Sequence, residues 1–301
     1  MEELVSIIIT THYRNKPLQN AIKSALNQEY QPIEVIVIDD SGERYAEPVV
    51  QKYDVQYVAH KENMGQVSGW QTGLRVASGD YIQFLDDDDI LKEQKISEQV
   101  KILRDQPDTG VAYCGVERQD GFVNLPPENA RGDVEELMLQ INFSPAQTST
   151  LLMERKCLDR ISPLPDYQAG TDIPLRIELA QITKFDFVNE PLVKRRVEFG
   201  TQATSLAAID ARERMLNDYE DLYENYPERV RQEAIANVSR FQGLVYLNHS
   251  IWSRHAIACF WREIRTDPNT DTVSVGRFLA SIFGSPGIDI SEKCFDFYTS
   301  R

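Results

Sequence analysis

Apolar residues in the first third of the chain fall in short β-branched runs, separated by polar turns and by stretches with helical spacing. Val5 to Thr10 reads as a buried parallel strand, and Pro17 opens a helical pattern with Leu18, Ile22, Ala25 and Leu26 on one face. Ile33 to Ile38 is a second strand, ending in the turn sequence Asp39-Asp40-Ser41-Gly42, and Val55 to Ala59 is a third. Gly65 to Ala77 is helix-compatible in spite of Gly69 and Gly73. The turn Ser78-Gly79-Asp80 then leads into a fourth strand, Tyr81 to Leu85. This βαβ rhythm predicts an α/β fold with a doubly wound, mostly parallel sheet flanked by helices.

Lys92 to Arg104 follows as an amphipathic helix, Gly110 to Val116 as a strand, and Gln119 to Arg131, with its Pro-Pro pair, as a loop. Thr148 to Met153 reads as a strand and Ile173 to Ile182 as a helix that tolerates Pro174 in its first turn. Phe185 to Val188 and Leu192 to Val197 read as extended. From about Leu206 the pattern becomes helical, over Ala207 to Tyr223, Arg229 to Leu247 and Ile251 to Ile264, with two shorter segments to follow. The expected organisation is a domain over 1–204 and a helical C-terminal region over 205–301. Trp252 and Trp261 are spaced for core packing, and His249 and His255 are expected to have no chemical role.

Charge changes the picture in one respect. A formal net charge of -15, from 32 basic and 47 acidic residues, excludes a nucleic-acid partner. The four cysteines, Cys114, Cys157, Cys259 and Cys294, form no metal-binding spacing. The N-terminus is not a signal peptide and no run is long enough to span a bilayer, so the chain reads as cytoplasmic, with a peripheral contact at the inner membrane face left open.

The chemistry concentrates at two strand ends, Asp39-Asp40 and Asp86-Asp87-Asp88-Asp89. Both belong at the C-terminal edge of a parallel sheet, where open α/β folds bind ligands. Four adjacent carboxylates repel one another, and a hard divalent cation with oxygen ligands relieves that repulsion. A nucleotidyltransferase would need a glycine-rich, basic loop after the first strand to hold a triphosphate, and Thr11 to Lys16 contains no glycine. The competing reading is a non-catalytic nucleotide- or metal-binding module acting through its helical tail. The continuous Asp run lacks the alternating ligands of an EF-hand.

Val5-Ser6-Ile7-Ile8-Ile9-Thr10, Glu34 to Gly42, Glu62-Asn63-Met64-Gly65 and Ser78 to Asp89 together resemble the family 2 glycosyltransferases, of GT-A fold. The four motifs occur in order over roughly the first 120 residues. The resemblance implies a Rossmann-like GT-A domain and an inverting hexosyl transfer from a nucleotide-diphosphate sugar to a carbohydrate or lipid-linked acceptor, with Mn2+ or Mg2+. It implies donor-nucleotide contacts from Thr10, His12, Tyr13, Asp40, Asp86 and Asp87, with Asp88 as the metal ligand of the DXD motif. Asp89 is expected to be structural. Asp172, in Gly170-Thr171-Asp172-Ile173-Pro174, is implied as the general base that deprotonates the acceptor hydroxyl. Capping of the following helix is its plain alternative. Arg195-Arg196 is placed to close over the diphosphate, with Arg196 the expected contact, and Glu198 stands where relatives often carry a His. Trp70 and Gln71 replace an Arg-Asn pair common in relatives, which implies different sugar contacts.

Overall fold

The structure, a computed structural model, describes residues 2–142, 145–167, 169–196 and 205–288. The chain divides into two compact units, one formed by residues 1–135, 144–166 and 171–198, the other by residues 136–143, 167–170 and 199–301. The second unit thus borrows two short segments from the region that sequence assigns to the first domain.

In chain order the first unit runs β1 (Val5–Thr11), α1 (Asn15–Leu26), β2 (Ile33–Asp39), α2 (Glu47–Val50), β3 (Gln56–Ala59), α3 (Gln66–Val76), β4 (Tyr81–Asp86), β5 (Ile90–Leu91), α4 (Lys95–Asp105), β6 (Thr109–Arg118) and β7 (Val123–Asn124). The helix α5 (Glu135–Leu139) falls almost wholly in the second unit. The first unit resumes with a 3-10 turn (Thr148–Thr150), β8 (Leu152–Glu154), α6 (Arg155–Arg160), α7 (Asp172–Ala180) and β9 (Lys184–Arg195).

The described strands form one sheet in the order β3-β2-β1-β4-β8-β6-β9-β5, with β7 beside β6. The block β3-β2-β1-β4 is parallel, as its buried β-branched runs require. Beyond it the sheet is mixed. The β8 strand lies antiparallel to both β4 and β6, β9 is parallel to β6, and β5 returns antiparallel to β9. Residues 148–153 are not the single strand their apolar pattern suggests. Thr148–Thr150 turns as a 3-10 helix and only Leu152–Glu154 pairs. The two extended segments expected around Phe185 and Leu192 are one strand, with register shifts against β6.

The main core lies under β1, β2 and β4 and includes Ile7, Ile9, Leu18, Ile22, Val35, Val37, Leu85, Ile96 and Val100, each nearly or fully buried. Glycine inside α3 is explained by the sheet beneath it. A Cβ at Gly73 would stand 2.3 Å from Ile8 Cγ2, and one at Gly69 would stand 2.7 Å from Thr10 Cγ2. The glycines let α3 approach β1 closely, which brings its N-terminal end beside the carboxyl ends of β1 and β4.

The second unit is helical, with α8 (Leu206–Asp218), α9 (Glu220–Tyr223), α10 (Glu228–His249), α11 (Arg254–Thr266) and α12 (Thr272–Ser281). Trp252 and Trp261 are not core residues. They are 56% and 49% exposed. The Trp252 indole N–H donates to Ile282 O at 3.0 Å, and the Trp261 ring lies against Phe278. The helix begins only at Arg254, so Trp252 lies ahead of it and the two rings share no helical face.

Candidate active site

Register places the two acidic strand ends at the same edge of the sheet, one on either side of β1. Thr11 of β1 pairs with Asp39 of β2, and Thr10 pairs with Asp86 of β4. Asp39 is structural. It accepts from Ser41 N–H at 3.0 Å, Ala46 N–H at 2.7 Å and the Tyr57 hydroxyl at 2.8 Å. Burial alone would push its carboxyl up, but these donors hold it below the usual aspartate value. Asp40 is the hub of the neighbouring loop. Its Oδ1 is 2.6 Å from His60 Nδ1 and accepts from Met64 N–H at 2.8 Å, while its Oδ2 accepts from Gly65 N–H at 2.8 Å. Gly65 sits at φ 86°, a left-handed conformation that suits glycine, and heads α3. His60 Nε2 in turn lies 2.9 Å from the Thr72 hydroxyl, itself an acceptor from Arg75.

Around this loop stand exposed rings. His12 Nε2 is 3.1 Å from Asn63 Nδ2, the His12 and Tyr13 rings meet edge-on at 4.7 Å, and Tyr13 lies 5.0 Å from Tyr45. The Tyr13 hydroxyl donates to Ser41 O at 3.0 Å. Trp70 is fully buried and stacked on Phe84 at 4.9 Å, so it belongs to the packing of α3 against β4.

The acidic tract begins at the last residue of β4. Asp87 is buried, accepts from the Thr11 hydroxyl at 2.6 Å and lies 3.3 Å from Arg14 Nη1. Arg14 Nη2 donates to Asp88 Oδ2 at 2.8 Å. Asp86 accepts from Gln66 Nε2 at 2.9 Å, and Gln66 Oε1 accepts from the Thr171 hydroxyl at 3.1 Å. Burial and like-charged neighbours raise Asp86 and Asp89, and push Asp87 up to about 7, in spite of Thr11 and Arg14. Arg195 opposes the rise at Asp86 and Asp89, while Asp172 adds to it at Asp86.

Asp172 opens α7 without capping it. Thr171 is the N-cap residue, and no side-chain cap bond forms there. Asp172 Oδ2 instead pairs with the buried Arg176 Nη2 at 3.2 Å. Arg195 is half-buried and donates to Gln147 Oε1 at 2.6 Å, whereas Arg196 is exposed. Glu198 and Val197 lie outside the described residues.

An excess of buried negative charge and an all-oxygen donor set fit a hard divalent cation. Among the described residues no three His, Cys, Asp or Glu side chains converge as a ready cage. Such an ion would be held by one or two carboxylates together with phosphate oxygens from a ligand.

Arg14, Gln66, His60 and Ser149 were not singled out by sequence reasoning. Their common signal is a polar side chain at or beside a strand end, visible only once the strands are in register.

The family model described as glycosyl transferase family 2 matches residues 6–161. An uncharacterized glycosyltransferase of Rickettsia prowazekii is 28% identical over 240 residues, covering 76% of this chain and 73% of that protein. The structure of S. aureus TarS 1-349 superposes with a TM-score of 0.65 at 13% identity, covering 97% of this chain and 91% of TarS 1-349. Mannosyltransferase PcManGT from Pyrobaculum calidifontis, in complex with GDP-Man and Mn2+, superposes with a TM-score of 0.61 at 14% identity, covering 96% and 83% of the two chains.

Proposed function

The chain belongs to glycosyl transferase family 2 and is a glycosyltransferase; from that premise we propose that it moves a sugar, with inversion, from a nucleoside-diphosphate donor to an acceptor hydroxyl, with Mn2+ or Mg2+ at the acidic tract. What carries the reading is the hydrogen-bond chain from Asp86 through Gln66 to Thr171, which sets Asp172 next to the acidic tract at the carboxyl edge of the sheet.

In this reading Thr10, His12, Tyr13 and the loop held by Asp40 receive the nucleoside. Asp86 and Asp87 face the ribose side, and Asp88 is the cation ligand. When bound, the cation neutralises diphosphate charge that the carboxylates alone would repel. Arg195, with Arg196 beyond it, offsets charge on the leaving diphosphate. Asp172 takes the proton of the acceptor hydroxyl as that oxygen attacks the anomeric carbon, and Arg176 fixes the carboxylate's orientation through Oδ2. The PcManGT complex with GDP-Man and Mn2+ supports the donor class and the cation.

The test is donor turnover over a sugar-nucleotide panel with Mn2+ or Mg2+. Asp88→Ala should lose cation-dependent turnover, and Asp172→Ala should lose transfer while still binding nucleoside diphosphate. Full activity of Asp88→Ala in chelator-treated buffer would remove the cation from the mechanism.

For the acceptor we propose a carbohydrate or lipid-linked hydroxyl, met through a peripheral membrane contact. Among the described residues no helix is long and apolar enough to cross a membrane. Ile251, Trp252 and Phe283 stand 74%, 56% and 75% exposed in the second unit, a combination suited to a lipid interface. Flotation with lipid vesicles tests this, and loss of flotation in Trp252→Ser is the expected result.

A further inference from the structure

Lys95 is fully buried at the start of α4, in a polar cluster that the proposed reaction leaves unused. Its ammonium donates to Gln83 Oε1 and, at 2.5 Å, to Gln99 Oε1. Both partners are neutral amides, and burial pushes the lysine down to about 8. A buried charge without a carboxylate partner is costly, so its surroundings invite a reason for keeping it.

The reason lies in what an ammonium does to a glutamine. It can only donate, so it forces each amide to present its oxygen, which turns both NH2 groups the other way. Gln83 Nε2 then donates to Ser149 O at 3.0 Å and to Phe84 O. Gln99 Nε2 donates to Thr150 O at 2.7 Å and to Ala112 O at 2.8 Å. The 3-10 turn enters the sheet before β8 begins, so the carbonyls of Ser149 and Thr150 precede the ladder, and the two amides serve them instead.

That turn touches the active site twice. The Ser149 hydroxyl oxygen accepts from Asp86 N–H at 3.1 Å, and the same side chain works against the rise at Asp89. Gln147, one residue ahead of the turn, holds Arg195. We propose that Lys95 is a positioning residue for the donor site, acting through Gln83 and Gln99 to lock residues 147–150 and through them Asp86, Asp89 and Arg195. This rests on the donor-site reading above.

The experiment compares wild type, Lys95→Met and Gln83→Glu. The second variant keeps an acceptor for the lysine, and even compensates its charge, but has no NH2 for Ser149 O. Binding of UDP and of GDP with Mn2+ is measured by calorimetry, unfolding midpoints are taken without nucleotide, and amide exchange is followed over Asp86–Asp89 and 148–150. Both variants should bind nucleoside diphosphate about tenfold or more weakly, as expected for a displaced binding group. Exchange should be faster in those two stretches and unchanged in β1 and β2. Weaker stability with unaltered affinity and unaltered local exchange would reduce Lys95 to a packing role and overturn the proposal. If Lys95→Met does not fold, Gln83→Glu decides alone, with affinity equal to wild type counting against the proposal. If wild type binds neither nucleotide, the donor-site reading fails, and with it the functional half of the inference. The exchange data then decide whether Lys95 still locks the turn.

Discussion

Replacing Asp40 with Asn separates a group that builds the donor loop from one that only meets a ligand. The carboxylate holds three partners, with Oδ1 serving His60 Nδ1 and Met64 N–H and Oδ2 serving Gly65 N–H. An amide can keep only one of these two oxygens. The cheaper orientation keeps His60 and Met64 and turns an NH2 toward Gly65 N–H. One charge-assisted bond is lost, about 1.5–3 kcal/mol, and the two that remain fall to the strength of bonds to a neutral acceptor. Asn63 Oδ1, 3.1 Å from Gly65 N, softens the loss by retaining a partner for that amide. The total is roughly 3 kcal/mol, a large share of the 5–15 kcal/mol typical of a domain. Urea unfolding of Asp40→Asn without nucleotide measures it, and His60→Asn in the same series tests whether the pair acts as a unit. A nucleotide-free stability within about 0.5 kcal/mol of wild type would refute the argument. Loss of nucleotide binding alone would then make Asp40 purely a recognition group.

Three further outcomes follow from the geometry. Because Asp87 is raised from 3.8 to about 7, the folded state binds more protons than the unfolded state across that window. Stability of the metal-free protein should therefore fall as pH rises from about 4 to about 7, and a pH series of melting temperatures should show the slope flattened in Asp87→Asn. Gly73→Ala forces a Cβ to within 2.3 Å of Ile8 Cγ2; a destabilisation of about 1–3 kcal/mol is expected by denaturant unfolding, and a neutral result would mean that α3 moves freely off β1. Arg14→Gln removes the cation already resting on Asp87 and Asp88, so binding of Mn2+ alone should tighten in calorimetry. The guanidinium is about one-third exposed, which limits the gain to roughly 1 kcal/mol, about fivefold. Weaker binding would mean that Arg14 helps to hold the ion rather than standing in for it.

Sequence reasoning reached the parallel half of the sheet because each buried strand there is a continuous apolar run with a turn after it. It also reached the acidic strand ends, because a carboxylate cluster at such a place has few physical explanations. It did not reach the mixed half as well. Thr148-Ser149-Thr150-Leu151 has the composition of a strand, yet the Ser149 and Thr150 carbonyls are served by side chains from β4 and α4, and that substitution leaves no periodic trace. Gln83 was the available clue, a lone amide inside the apolar run Tyr81 to Leu85. The partner choices of Arg14 and Arg195 depend on distances between segments far apart in the chain, which composition does not encode. Trp252 and Trp261 show the opposite failure, since the helical spacing that joined them overruns the true start of α11 at Arg254.

The two-residue strand β5 ties Ile90 to Lys194 and Leu91 to Val193. The acidic tract is therefore anchored at both ends in one sheet, by β4 before it and β5 after it. Its length is constrained as firmly as its composition. One inserted residue would slide β5 along β9 and turn the buried Leu91 toward solvent, because side chains alternate with a period of two. The tract can thus exchange an aspartate for another small polar residue far more easily than it can gain or lose one. A bound ion finds a bend whose shape is already paid for by folding.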